Sequence, residues 1–146
     1  MALLEVYNNQ EEEFISDDLL EKFSRLGNIA VPLALENPSN GGGVLNQIEQ
    51  VEISIVSDEV IAQVHVDFMD IPGATDVITF AHGEIVISAE TARSYGEEYG
   101  NSFERELMLY IIHGLLHLAG HEDEDPLERE SMEKVQLLIL EQVWED

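Results

Sequence analysis

Residues 113–123 have the sequence HGLLHLAGHED, around which the rest of the chain is arranged. The apolar run at residues 107–112 precedes it, so the pattern predicts a helix with His113 and His117 one turn apart on one face. Two imidazole nitrogens at this spacing can converge on one metal ion at about 2.0–2.1 Å each. Gly120 can adopt a positive φ, which ends a helix and turns the chain back. We therefore predict a metal site built on a helix, with a further ligand after the bend.

The third ligand is predicted to be Asp123. A straight helix would place residues 113 and 121 about 12 Å apart, because each residue adds about 1.5 Å of rise. Three side chains spread over that length cannot surround one ion, whereas a helix that ends at Gly120 lets Asp123 return to it. His121 is the alternative ligand, or a residue that supports the ligands from behind.

Length and composition define the class of protein. The chain has 146 residues and is 45% hydrophobic, as expected for one globular domain over residues 1–146. It has no apolar run near twenty residues, no basic and apolar signal segment and no cysteine. We therefore expect a cytoplasmic protein without membrane spans, disulfides or thiolate ligands.

The charge is strongly acidic, since 31 Asp and Glu face 6 Lys and Arg, for a formal net charge of -25. Such a surface repels phosphate backbones unless a metal or a local basic patch intervenes. Solubility or adaptation to salt would explain the acidity, and so would a basic partner protein.

In the first half of the chain, strands are predicted at residues 3–7 and 51–55 and a helix at about 18–35, with Pro32 kinking or shortening its end. Its buried side is predicted to carry Leu19, Leu20, Phe23, Leu26 and Ile29. Residues 37–43 are predicted to be a flexible surface loop and not a phosphate cradle, because the Lys-Ser/Thr of a P-loop is missing. A short helix should follow Ser57 and Asp58.

In the second half, strands are predicted at residues 75–80 and 84–88, joined by a turn at His82 and Gly83. Helices are predicted at residues 89–99 and 102–119, and from an N-cap at Asp125 to about residue 144. The last helix is predicted to turn Met132, Val135, Leu138, Ile139 and Val143 inward. These elements indicate an α+β fold, a small sheet packed with helices.

The motif at residues 113–123 limits the reactions that a metal bound there could catalyse. A metalloprotease of the familiar helical type has a glutamate directly after the first histidine as general base, and Gly114 stands there. Without that glutamate, a metal that activates water could still hydrolyse a phosphodiester. Two histidines and a carboxylate also match the facial triad of non-haem iron oxygenases, although nothing in the sequence indicates their cosubstrate pocket.

The motifs carry a resemblance to a known family. Residues 113–123 resemble the HGxLHLxGxDH signature of the YbeY family of bacterial metal-dependent endoribonucleases. The segments TDVITF, residues 75–80, and GEIVIS, residues 83–88, resemble the TDVLSF and GDIxIS blocks of that family. The resemblance implies a zinc hydrolase that cleaves single-stranded RNA in ribosomal RNA maturation and ribosome quality control, with ribosomal partners. It also implies a small mixed β-sheet and a zincin-like metal helix that floors a cleft.

Carried over by position, His113 and His117 would bind one Zn²⁺ ion, and the third histidine of the family falls on Asp123. Thr75 and Asp76 either start a strand and cap a turn, or line the cleft and bind substrate; we assign them to substrate binding. Aspartate in place of histidine should make the ion a weaker acid towards its water.

Two further departures weaken the case for RNA cleavage. The arginine of the family falls on Met69, which removes a phosphate clamp, and its asparagine falls on His65.

The catalytic base is not identified. The leading hypothesis is a metal-dependent endoribonuclease. The alternative is a catalytically weakened ribosome-assembly factor that binds a basic ribosomal partner, and a metalloprotease is a third hypothesis.

Overall fold

The protein is an α+β fold, as predicted. The computed structural model describes residues 1–145. The strands are β1 (Leu3–Asn8), β2 (Gln50–Val56), β3 (Val77–Thr79) and β4 (Glu84–Ser88). The helices are α1 (Asp17–Glu36), α2 (Asp58–Met69), α3 (Ala89–Tyr99), α4 (Phe103–Leu118) and α5 (Pro126–Val143), with short 3-10 turns at Asn40–Gly42 and Leu45–Gln47. Among the described residues, no helix combines the length and apolar character that crossing a bilayer requires.

The four strands form one mixed sheet in the order β1-β2-β4-β3. β1 and β4 both pair in parallel with β2, and β3 pairs antiparallel with β4. Ile53, Ile55, Ile85 and Ile87 alternate along β2 and β4 and are fully buried against the helical core. Val86 and Ile78 face a smaller cluster on the other side, where α2 covers the sheet. β4 is therefore buried on both faces.

Helix α1 begins where Ser16 accepts a hydrogen bond from the Leu19 amide at 3.1 Å, and it continues past Pro32 to Glu36. The prediction that Pro32 shortens this helix is wrong. Ile29 is 47% exposed, so its predicted burial is wrong as well. The reason is that strand β1 packs directly on Gly27, where a Cβ would lie 2.6 Å from the Leu4 side chain. This contact fixes the buried face on one side of the helix and leaves Ile29 in solvent.

Helix α5 begins as predicted, because the Asp125 carboxylate accepts from the amides of Leu127 at 2.8 Å and Glu128 at 3.2 Å. The predicted burial of Leu138 is wrong, since this residue is 50% exposed. The neighbouring Ile139 and Leu140 are buried instead, and the helix packs on α4 and α1.

Candidate metal centre

Helix α4 positions the two histidines. Its N-cap is Ser102, whose hydroxyl accepts from the Arg105 amide at 3.1 Å, and most of its apolar residues are buried under α1, α3 and α5. His113 and His117 lie on the less buried side, with side chains 26% and 24% exposed. Their Nε2 atoms are 3.0 Å apart. The spacing of four residues thus brings two ring nitrogens to one point, as the motif predicts.

Gly114, between the histidines, is buried against the sheet. A Cβ at this position would lie 2.7 Å from two side-chain carbons of Ile85 on β4. Helix α4 therefore approaches the sheet too closely for a larger residue here. The close approach is a packing reason for glycine at the position where a helical metalloprotease carries its glutamate base.

Helix α4 ends at a Schellman-type bend. Gly120 has φ +99°, its amide donates to the His117 carbonyl at 3.1 Å, and the His121 amide donates to the Leu116 carbonyl at 3.0 Å. The bend turns the following segment back towards the histidines. The prediction that the helix ends at Gly120 is confirmed.

The glycine-containing loop at residues 37–43, predicted to be a flexible surface loop, packs on this bend through specific contacts. The Ser39 amide donates to the Ala119 carbonyl at 3.1 Å, and the Asn40 side-chain amide donates to the Gly120 carbonyl at 2.8 Å. A Cβ at Gly43 would lie 2.4 Å from the Gly120 amide nitrogen. The loop therefore packs backbone against backbone on the end of the metal helix.

Asp123 lies beside the two imidazoles. Its Oδ2 is 3.4 Å from Nε2 of His113 and 3.5 Å from Nε2 of His117. The three donor atoms lie within 4.8 Å of one another and could hold a metal ion. Arg129 on α5 fixes the segment, because its Nε donates to the Asp123 carbonyl at 3.0 Å and its Nη2 donates to the Glu124 carbonyl at 3.3 Å.

The outer nitrogens of both rings have hydrogen-bond partners. Nδ1 of His117 lies 2.9 Å from the His121 carbonyl oxygen, and Nδ1 of His113 lies 2.8 Å from Oε1 of Gln136. Because both partners are acceptors, they favour the tautomers with the proton on Nδ1, in which each Nε2 lone pair faces the other and the Asp123 carboxylate. Three electron-rich atoms repel one another at these distances unless a cation lies between them. The donor set therefore fits a divalent metal of the kind that nitrogen and oxygen ligands hold.

His121 is not brought to this group. It is buried, and its Nε2 lies 2.6 Å from the carbonyl oxygen of Asn37, on the loop that holds the bend. Its backbone carbonyl, in contrast, is the acceptor for His117. This arrangement corresponds to the supporting role that we considered for His121, and not to its role as alternative ligand.

His113, His117 and Asp123, which we call the metal group because they could hold an ion, open into a cleft of about 600 Å³. Thr75 and Asp76 line its wall at the start of β3, together with Met69 at the end of α2. The Asp76 carboxylate also accepts from the Val77 amide at 2.8 Å, so this residue caps the strand and borders the cleft at once. The two roles considered for Asp76 are compatible.

Gln136 and Arg129 were missed by reasoning from the sequence. Both border a second cavity of about 210 Å³, which they share with Asp76, His113 and Asp123. The one signal for Gln136 is that it lies four residues after Met132, where the inward stripe of α5 would otherwise carry an apolar residue. Arg129 has no signal in the sequence beyond its position near the start of α5.

The pKa of His113 is lowered from its ordinary value of 6.5 by burial and by the neighbouring His117, against smaller opposing effects of Gln136, Asp76 and Asp123. The neutral ring, which is the form that binds metal, is thus favoured at neutral pH.

This shift predicts a pH dependence of stability in the metal-free protein. As the pH falls below 6.5, the unfolded chain takes up a proton on His113 before the folded chain does, so folding loses stability. We expect the melting temperature of the wild type to fall, relative to that of a His113→Gln variant, when the pH is lowered from about 7.5 to about 5. Thermal denaturation of both proteins in EDTA measures this difference. Parallel curves would contradict it.

Comparison with known proteins identifies the family. The family model described as "Endoribonuclease YbeY" matches residues 6–144. The chain belongs to this family. A YbeY relative from Thermotoga neapolitana is 40% identical over 101 residues, which cover 64% of this chain and 67% of the relative. One from Frankia alni is 31% identical over 116 residues, which cover 66% of this chain and 64% of the relative.

A solved structure agrees with this assignment. The solution structure of the Thermotoga maritima protein TM1509 matches with a TM-score of 0.64 and 28% identity, over 97% of this chain and 89% of that protein. The match therefore extends over the sheet, the metal helix and α5.

Proposed function

We propose that this chain is a single-domain, metal-dependent hydrolase that cuts single-stranded RNA in the cytoplasm, in ribosomal RNA maturation and ribosome quality control. Membership of the YbeY family supports this proposal. The observation that carries it is the convergence of two Nε2 atoms 3.0 Å apart and one carboxylate on a cleft of about 600 Å³. A cleft of this volume can accommodate a nucleotide unit, and all three donor residues line it.

We propose that His113, His117 and Asp123 hold one Zn²⁺ ion. Two imidazoles and a carboxylate are a common donor set for catalytic zinc and leave a position of the tetrahedron for a substrate or water. When bound, the ion lowers the pKa of water and polarises a phosphoryl oxygen. Gln136 and the His121 carbonyl keep the protons of the two rings on Nδ1, and so keep both Nε2 atoms available.

Thr75 and Asp76 are proposed to bind the substrate. The Thr75 hydroxyl can donate to a phosphate or ribose oxygen, and the Asp76 carboxylate can accept from a ribose hydroxyl or from water. Asp76 borders both cavities that contain His113 and Asp123. This position makes it the carboxylate that we propose to orient the attacking water.

A second function is favoured by one observation at the cleft. Met69 lines the cleft wall where the family has an arginine, and among residues 1–145 no Lys or Arg lines this cleft. A chain of this kind could bind a basic ribosomal protein through its acidic surface as an assembly factor without cutting RNA. A peptidase is disfavoured, because Gly114 has no room for a glutamate base.

The experiment that tests the proposal is cleavage of a defined single-stranded RNA by zinc-loaded protein, beside the same RNA in a duplex. We expect cleavage of the single strand alone, and its loss on addition of a chelator and its return with zinc. Casein serves as the control for peptidase activity and should stay intact. Binding of a ribosomal protein with no RNA cleavage would overturn the hydrolase proposal and support the assembly factor.

A further inference from the structure

Three aromatic rings form a continuous row on the surface beside the cleft. Phe68 at the end of α2 contacts Phe80 edge to face, with ring centroids 5.3 Å apart. Phe80 is stacked on His82 with centroids 5.6 Å apart and ring planes inclined by 25°. Phe68 and the side chain of His82 are each 70% exposed. We call these three residues the aromatic platform.

The platform is fixed to the body of the protein. Phe80 packs on the cluster of Val56, Ile61, Ile78 and Val86 between α2 and the sheet. Its amide donates to the Glu84 carbonyl at 2.8 Å, and its carbonyl accepts from the Gly83 amide at 2.9 Å, which closes the turn that carries His82. Phe80 therefore offers Phe68 and His82 a fixed ring to pack on, which lowers the side-chain entropy that binding has to overcome.

The platform adjoins the cleft along the chain. Met69 follows Phe68 and Ala81 follows Phe80, and both of these neighbours line the cleft. Phe68 and Phe80 are therefore one residue away from the cleft lining, within reach of a strand that extends out of the cleft past Met69 and Ala81. Packing on the core accounts for Phe80 but not for Phe68 and His82, which are each 70% exposed and contribute little to folding.

The charge around the cleft indicates what kind of ligand fits. Asp76, Glu122, Asp123 and Glu124 line it, and no Lys or Arg does among the described residues. Arg129 is beside the smaller cavity, with two of its nitrogens engaged by backbone carbonyls. An RNA strand therefore finds little here that would attract its phosphates. What the surface offers instead is aromatic area, on which bases stack regardless of sequence.

We propose that the aromatic platform binds RNA by stacking unpaired nucleobases of the strand that enters the cleft. The proposal rests on the proposed function and extends it, since it names the part of the substrate that is recognised. Bases in a duplex are stacked on each other and cannot reach Phe68, so the platform would itself select single strands. Recognition through bases does not require a basic surface, which the described part of this chain lacks around the cleft.

The test is the affinity for a twelve-nucleotide single-stranded RNA that contains 2-aminopurine, measured in EDTA so that no metal-dependent cleavage occurs. We expect Phe68→Ala to weaken binding about tenfold and to abolish the fluorescence quenching that stacking causes. Phe68→Trp should preserve both. Tyr99→Ala is the matched control, because Tyr99 is also an exposed aromatic residue, 67% accessible and paired with Tyr95, and lies on α3 away from the cleft lining.

Salt dependence separates stacking from ordinary phosphate binding. Binding through phosphates weakens as salt rises, because counterions are released. The affinity from stacking beside an acidic surface should stay constant or increase as salt rises, because salt screens the repulsion between the surface and the phosphates.

Equal affinities of the Phe68→Ala and Tyr99→Ala variants, or a steep loss of affinity with salt, would overturn the proposal. A platform that binds a protein and not RNA would give the first of these results. Because no metal or cleavage is needed, failure here leaves the hydrolase proposal intact, and absence of cleavage leaves the platform intact.

Discussion

Replacing His117 by alanine is expected to remove the bound metal and to reduce RNA cleavage by more than about 100-fold. Loss of a partner behind a metal ligand already costs about 10- to 100-fold in affinity or activity. Loss of the ligand itself should cost more, because Nε2 of His117 is within 3.5 Å of both other donor atoms. Metal content by elemental analysis and the rate of cleavage of single-stranded RNA give the two readings.

His82→Ala is the control for metal content, since His82 is an exposed histidine outside the metal group. It should retain the metal content of the wild type. A His117→Ala protein that keeps its metal and its cleavage rate would show that the activity does not depend on this site.

Replacing Gly120 by alanine is expected to lower the free energy of unfolding by about 3–5 kcal/mol, in the range of large single-residue effects. Gly120 has φ +99°, which an alanine adopts only with strain. A Cβ there would lie 1.9 Å from the Ser39 carbonyl oxygen, a backbone atom that cannot rotate away. Relief of this clash requires the loop at residues 37–43 and the bend at Gly120 to move apart, and a shift of the bend would displace Asp123, which follows it by three residues.

Gly100→Ala is the matched control. Gly100 ends α3 with φ +77°, and a Cβ added there would have no neighbouring atom within 4 Å. Its substitution should cost only the backbone strain, about 1 kcal/mol. Urea denaturation of the two variants measures the difference, and zinc affinity of Gly120→Ala measures the effect on the site. Equal stability of the two variants would show that the loop does not hold the bend.

The sequence predicts the centre of the site well because its signals are local. Histidine spacing and the helix-ending Gly120 depend on nearest neighbours along the chain, and the structure has both. The individual strands and capped helices are likewise indicated by patterns within a few residues of one another. Their pairing into a mixed sheet is not local, since β1 pairs with β2 and β2 with β4 across long stretches of chain, and it is expected from the family resemblance alone.

The missed features depend on contacts between distant segments. Gln136 contacts His113, which lies 23 residues away in the sequence, and Asn40 in the loop at residues 37–43 contacts Gly120, which lies 80 residues away. The incorrect predictions that Ile29 and Leu138 are buried have the same origin. Periodicity in the sequence identifies an apolar stripe on a helix, but it does not show which residues of the stripe face the core. Packing against β1 and against α4 decides which side of each helix is inside.

We propose that Asp123, and not His121, completes the group formed with His113 and His117. The zinc content and zinc affinity of Asp123→Asn and His121→Gln proteins, each compared with the wild type, test this ligand set. Asp123→Asn should lose most of its affinity, because it removes the charge 3.4 Å from His113 Nε2. His121→Gln should stay closer to the wild type, because the backbone carbonyl that supports His117 remains. If the His121→Gln protein lacked zinc and the Asp123→Asn protein were fully loaded, His121 and not Asp123 would be the third ligand.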